Sequence, residues 1–389
     1  MLGSSPYIIS RVSIAVMAIA GKEISNMRTH TKLRVSLLLA VFTLAGAIAL
    51  QPVASQVAPL FTVLELGGLT VDSVRVARKI SANGQVVGRT GYITGSDTGA
   101  VLWMGGGVEA LGTLPGGDYS AAFALNDLGK VVGTSNSGNT VRAFVWTTAS
   151  GMSDLGTLPN DSGSEAFDIN NRGEVVGTSS GPEGIRAVLW NSEGAIQNLG
   201  QLPGGELSRA FAINESGQVV GTSTSSSGMR AFLWASGGGM QNLGTLPGDT
   251  GSEALDINNS GQVVGYSIGP NGARAFLWTS SGGMQNLGTL PGGTYSKASG
   301  INNLGQIVGT SGTPNGPRAV LWTSPAVMLD LNSLVSGLSP GLKLSEAQCI
   351  NELGLIAALS GGGERAPTAA GDNHEQEHFY RVFLLTPIQ

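Results

Sequence analysis

Two short stretches of the chain carry residue types whose spacing could do metal chemistry. The first is D-I-N-N-S-G, Asp256 to Gly261. Asp256, Asn258 and Ser260 sit at alternate positions ahead of a glycine, like the opening of a loop whose side-chain oxygens wrap calcium. The second is H-E-Q-E-H, His374 to His378. On a helix this spacing sets two imidazoles on one side for zinc, with a glutamate as general base. Each motif needs an element to position it, so the elements decide whether either can work.

The calcium-like stretch returns along the chain. A-L-N-D-L-G-K-V-V-G (124–133), D-I-N-N-R-G-E-V-V-G (168–177), A-I-N-E-S-G-Q-V-V-G (212–221), G-I-N-N-L-G-Q-I-V-G (300–309) and C-I-N-E-L-G-L-I-A-A (349–358) are its siblings. K-I-S-A-N-G-Q-V-V-G (79–88) is a degenerate first copy. The anchoring aliphatics, Ile80, Leu125, Ile169, Ile213, Ile257, Ile301 and Ile350, are spaced 45, 44, 44, 44, 44 and 49 residues apart. A fixed period of this size means a repeat architecture. The copies also test the metal. The Asp256 position keeps an acid at Asp168 but holds Ala124, Ala212, Gly300 and Cys349 in the other copies, and the Ser260 position holds Leu128, Arg172, Ser216, Leu304 and Leu353. Leucine and arginine cannot ligate a cation, and no copy carries the distal bidentate glutamate. What persists is Asn126, Asn170, Asn214, Asn258, Asn302 and Asn351, each with a glycine after it. Those are turn formers, so hairpins are expected here.

The zinc-like stretch fares no better. It follows S-G-G-G-E-R-A-P-T-A-A-G-D-N and abuts a final strand, and no acid or histidine comes after His378 to supply a third ligand. A long solvated loop is the expectation for His374 and His378, with no metal and no cofactor.

Two further landmarks recur. R-A-F-L-W or a relative places Trp103, Trp146, Trp190, Trp234, Trp278 and Trp322 in six units, and R-V-F-L-L puts Leu385 there in the seventh. L-G-T-L-P-G-G (111–117) and its variants form the other. In one unit strand a is 252–258, strand b 262–267, strand c 273–279 and strand d 284–290. Four short strands in about 44 residues is the size of a propeller blade. Strand c is apolar on both faces, as expected of a sheet covered on both sides. Large aromatics then serve as wedges between blades.

The repeats begin on a d strand, 61–66, and end on a c strand, 381–387. If the first strand completes the last sheet, the ring closes and no sheet is left short. The expected fold is all-β: a seven-bladed propeller of four-stranded blades over residues 56–389, closed by its N-terminal strand. A linear β-solenoid is the rival architecture.

The combined landmarks, I-N-x-x-G-x-V-V-G, x-A-F-L-W and L-G-x-L-P-G-G, resemble the HAF repeat family of bacterial extracellular proteins over about residues 60–387. The histidine of that family's name is held here by Arg142, Arg186, Arg230, Arg274, Arg318 and Arg381. The resemblance implies an exported protein of uncharacterised function and carries over no catalytic residue.

The N-terminal stretch fits export. Residues 27–55 have a basic start, an apolar run from Val35 to Leu50, and small residues after it, as in a signal peptide. An uncleaved anchor is the alternative. Residues 1–26 read as an over-long N-terminal extension. Removing 1–55 takes away five of 21 Lys/Arg and one of 26 Asp/Glu, leaving a net charge of −9. That disfavours nucleic acid as partner. Nothing later in the mature chain is apolar enough for a membrane span. One cysteine, Cys349, excludes an intramolecular disulfide.

The expected partner is therefore a macromolecule or glycan, met by a monomeric, secreted and non-catalytic binding scaffold. The alternatives are a propeller hydrolase or lyase working at the central mouth, and a self-associating matrix protein. Serines 120, 164, 208, 252, 296 and 345 open the a strands, and the repeated arginines open the c strands. Their recurrence in nearly every unit points to satisfying backbone and carboxylate groups within each blade. Variation is concentrated in the d–a loops, where Asp118, Tyr119, Glu206, Asp249 and Tyr295 are the candidate ligand-binding residues.

Overall fold

The computed structural model describes residues 60–68, 74–91, 99–361 and 381–388. The leader at 27–55, the extension before it and the H-E-Q-E-H stretch lie outside the described residues. The rest forms seven antiparallel sheets in chain order. Blades 1 to 6 cover 74–110, 120–154, 163–198, 208–242, 251–286 and 296–330, each with four strands. In blade 5 the strands are Gly251–Ile257, Val263–Gly269, Gly272–Thr279 and Gly283–Asn286. The d strand is shorter than its sequence suggests. The chain leaves the sheet at Leu287, and Gly288 then takes a φ of 75° that strand geometry does not permit.

Blade 7 is assembled from both ends of the chain. Its order is Leu344–Ile350, Ile356–Ser360, Arg381–Pro387 and then Phe61–Leu66, with a two-residue strand, Val335–Ser336, added in parallel outside. Phe61–Leu66 pairs antiparallel with the C-terminal strand from Phe61↔Pro387 to Leu66↔Val382. Arg381 donates to the Glu65 carboxylate across the same pair. Each a strand lies against the a strand of the next blade, and that of blade 7 lies against that of blade 1. The fold is a closed seven-bladed β-propeller.

Seven apolar clusters hold the ring, one at each junction between neighbouring blades. The six tryptophans are 0–7% exposed and sit in six of these clusters. The junction between blades 6 and 7 uses Leu385 at the Trp position, with Phe61 and Phe383 beside it. The last junction joins Trp103, Ile80 and Val101 of blade 1 to Cys349, Leu359 and Val382 of blade 7. An indole buries roughly 200 Å² of surface, so each tryptophan ties two sheets that a single-sided blade could not hold alone.

The turns follow the sequence reading. In the a–b hairpins Gly129, Gly173, Gly217, Gly261, Gly305 and Gly354 have φ of 73–80°. In the Pro-Gly turns Gly116 has φ 75°, and Gly117 N–H donates to Leu114 O at 2.9 Å, closing a type II turn. Blade 3 has Asn160 at that place, with φ 67°, the non-glycine residue that best tolerates it.

Candidate functional site

The propeller has two faces. The d–a and b–c loops share one, and they are tied together by Gly138 N–H to Gly116 O at 3.3 Å and Ser226 N–H to Pro203 O at 3.2 Å. The a–b hairpins occupy the other face. There the repeated asparagines lock blade to blade. Asn126, Asn170, Asn214, Asn258, Asn302 and Asn351 each donate an amide N–H to a carbonyl of the next blade at 2.9–3.2 Å. The last of these reaches Ser81 O of blade 1, closing the girdle. The Asn258 carbonyl oxygen accepts from Ser260 N–H and Gln262 N–H, capping its own turn. Asp256 accepts from Ile257 N–H and Ile301 N–H. The calcium-like residues are thus committed to backbone donors.

The loop-face serines join blades instead of serving one blade, a correction to the sequence reading. Strand d is too short to reach Ala231 N–H in strand c, and Ser252 of the following blade accepts that proton at 2.9 Å while donating to Gly244 O. Ser120, Ser208 and Ser296 repeat both contacts, and Ser164 accepts from Ala143 N–H. A second row, Ser135, Ser179, Ser223, Ser267 and Ser311 of strand b, caps the leucine N–H of each L-P turn at 2.9–3.1 Å. The recurring V-V-G-x-S spelling was its sequence trace.

The repeated arginines are tied down too. Arg186 pairs with Asp161, whose side chain is fully buried, and Arg274 pairs with Asp249, which is 3% exposed. Asp249 is therefore held inside its own blade. Tyr295 is half-buried, its ring lying where a side chain on Gly312 would stand. Asp118 is exposed and accepts from the Asn136 amide, Tyr119 is half-buried, and Glu206 is exposed. Of the five candidates, Asp118 and Glu206 present the most side chain to solvent on this face.

The a strands line a central channel, and a β-bulge in every one of them decides what it sees. The register slips between the residues three and one before the anchoring aliphatic in all seven blades. The slipped residues are Arg78, Phe123, Phe167, Phe211, Leu255, Ser299 and Gln348. All seven line one cavity of about 200 Å³. Phe123, Phe167 and Phe211 stand side by side, with centroids 5.5 and 5.7 Å apart. The Arg78 guanidinium lies 5.7 Å from the Phe123 centroid.

Toward the loop face, successive blades carry Glu165, Arg209, Glu253, Lys297 and Glu346, alternating in sign. Burial pushes the Glu165 carboxyl up, and Arg209 opposes this only in part. Burial likewise raises Glu253 against Tyr266, Lys297 and Arg209. Deeper in, Lys79 of blade 1 spans the channel to Asp168 of blade 3 and Asp256 of blade 5, both at 3.6 Å. Lys79 keeps 33% of its side chain exposed, but to the channel that the seven blades enclose. Burial would pull its ammonium down; the two carboxylates outweigh that and raise its pKa. Asp168 is raised by burial, which Lys79 only partly reverses, while Ile213 N–H donates to its other oxygen at 3.0 Å. Cys349, 5% exposed beside this group, has its thiol pushed up to about 12 by burial.

The channel chemistry repeats every second blade. Blades 3 and 5 read S-E-A-F-D-I-N and S-E-A-L-D-I-N, while blades 4 and 6 supply Arg209 and Lys297. Each Asp caps a backbone N–H of the following blade.

No protein-family model matches the chain, and no curated protein matches it. Solved structures do. Selenomethionine-substituted virginiamycin B lyase from Staphylococcus aureus is similar over 84% of this chain and 100% of that one, at 13% identity and a TM-score of 0.52. A catalytically inactive variant of that lyase with quinupristin gives 12% identity and 0.51 over the same shares. At such identities the likeness is one of fold. Among the described residues no helix is long and apolar enough to cross a membrane.

Proposed function

We propose that the chain is an exported, non-catalytic propeller of the HAF repeat type that binds a macromolecule or surface polymer through its loop face. The observation that carries this is a contrast on that face. The two rows of serines and the Leu-Pro turns form a recurring frame, while Asp118, Tyr119 and Glu206 vary on it with their side chains outward or half-outward. Side chains held on a rigid frame lose little entropy on binding, which suits them to selective contact.

The polar groups of the channel support a binding role over a catalytic one. Asp168 and Asp256 are engaged by Lys79 and by backbone N–H groups, and the Cys349 thiol is held protonated. A general base or nucleophile needs a lone pair directed at substrate. Export rests on the leader-like stretch at 27–55.

The test is a glycan and cell-wall pulldown with residues 56–389, followed by Asp118→Ala, Tyr119→Ala and Glu206→Ala, with Tyr295→Ala alongside. Loss of capture by the first three with an unchanged melting curve is expected. Capture that survives all four substitutions would remove the loop-face reading.

A further inference from the structure

We infer that the central channel is a binding site for one aromatic ring bearing a carboxylate, a site separate from the loop-face surface and independent of its role. Three observations meet there. The first is apolar surface where the fold has no need of it. Phe123, Phe167, Phe211 and Leu255 are all half-buried, and each turns into the cavity at a bulge. The blade junctions already have their own cores, and these four side chains belong to none of them. Contiguous apolar surface left accessible in a concave wall marks a ligand site.

The second observation is size. The cavity is about 200 Å³. An apolar cavity of about 150 Å³ holds one benzene. This one has room for a single ring and a small polar substituent.

The third is the chemistry of the opposite wall. Blades 6, 7 and 1 break the apolar arc with Ser299, Gln348 and Arg78, and Lys297 stands above them. The nearby carboxylates already have partners. Asp168 and Asp256 meet Lys79 and backbone N–H groups, Glu165 accepts from Thr178, Glu346 accepts from Gln348, and Glu253 accepts from Tyr266 with Lys297 and Arg209 on either side of it. The wall facing the ring shelf is therefore rich in cationic and hydrogen-bond-donating groups, which complement an anion. The ring lies along Phe123, Phe167, Phe211 and Leu255, with its carboxylate toward Arg78 and Lys297. Such a ligand has two sources, a free aromatic acid or a polypeptide ending in an aromatic residue.

Calorimetric titration of the purified chain with phenylacetate, 2-phenylethanol and phenethylamine tests the class. The acid is expected to bind, the alcohol about tenfold or more weakly, as loss of a charge-assisted hydrogen bond implies, and the amine not detectably. Lys297→Gln should weaken the acid about tenfold while leaving the alcohol unchanged. Phe167→Ala should weaken both, and a thermal melt of each variant reports its folding independently. Short peptides ending in phenylalanine, as free acid and as amide, separate the sources. Binding of the peptide acid points to a polypeptide terminus, and binding of phenylacetate alone points to a free acid. An amine that binds as tightly as the acid, or no heat from any acid or peptide acid, overturns the inference.

Discussion

Strand b of six blades carries a glycine whose replacement should be costly for a reason unrelated to backbone freedom. In blade 4 it is Gly221, paired with Ala210 on one side and Phe232 on the other. A Cβ there would stand 1.9 Å from Arg209 O and 3.0 Å from Ala210 Cα. The bulge pushes that carbonyl toward strand b, so the same irregularity that aims Phe211 into the channel demands the glycine. To restore ordinary contact, strand b must retreat by more than an ångström. Phe232 behind it is fully buried and leaves no room. Overpacking together with at least one broken ladder hydrogen bond gives a cost of about 3 kcal/mol for Gly221→Ala. For a propeller of about 330 residues, with an unfolding entropy of about 0.7 kcal/mol/K, that is a fall of roughly 4–5 °C in melting temperature. Gly238→Ala is the control, because its nearest neighbour beyond the chain is Ala235 O at 3.9 Å, and it should stay within about 0.5 kcal/mol of the parent. Blade 7 already carries the substitution. Ala358 stands at this position, and its a strand has an additional register slip between Leu344 and Glu346. Urea unfolding followed by tryptophan fluorescence measures both variants. A Gly221→Ala protein that unfolds with the parent would refute the steric argument.

Other consequences follow from the ring. Lys79→Met leaves Asp168 and Asp256 facing each other without their cation, an expected loss of about 3 kcal/mol near neutral pH. The folded-state pKa of Asp168 is already raised, and without Lys79 it rises further. An acid of that kind contributes stability below its unfolded pKa and loses it as pH climbs through the folded value. The deficit of the variant should therefore shrink on acidification below about pH 5, and a deficit independent of pH would exclude the charge account. Ser81→Asn should stabilise the protein by about 1 kcal/mol, because blade 1 lacks the amide that the other six blades use to reach their neighbour; an unchanged melting curve would show that the girdle needs no seventh link. Cys349, buried and with its thiol pushed up to about 12, should react with a disulfide reagent at pH 8 only on unfolding. Rapid labelling of the native protein would contradict that environment.

Much of the architecture was legible from residue types alone. The spacing of Ile80 to Ile350, the six tryptophans and the glycines after each asparagine gave blade number, blade junctions and hairpins. These are local or periodic features, and within blades 1 to 6 each strand pairs with one that is its neighbour in the chain. The offset between Phe61–Leu66 and Arg381–Pro387 was enough to infer closure, because unpaired edges are costly wherever the ring is cut. The loop candidates were legible only in part. Asp118 and Glu206 are exposed, but Asp249 is occupied by Arg274, 25 residues away in its own blade; the recurrence of the arginines pointed to a carboxylate partner within the blade without saying which one.

The channel was decided by tertiary structure. A strand with period two would place alternate residues on the same face, yet the bulge shifts the phase by one and turns both Phe167 and Asp168 inward. Lys79, Asp168 and Asp256 are 89 and 88 residues apart in the chain and meet only because seven twisted sheets curve back on themselves. Sequence set the repeat and its closure through local pairing and burial. The charges and rings that face one another across the channel were set by the geometry of the whole circle.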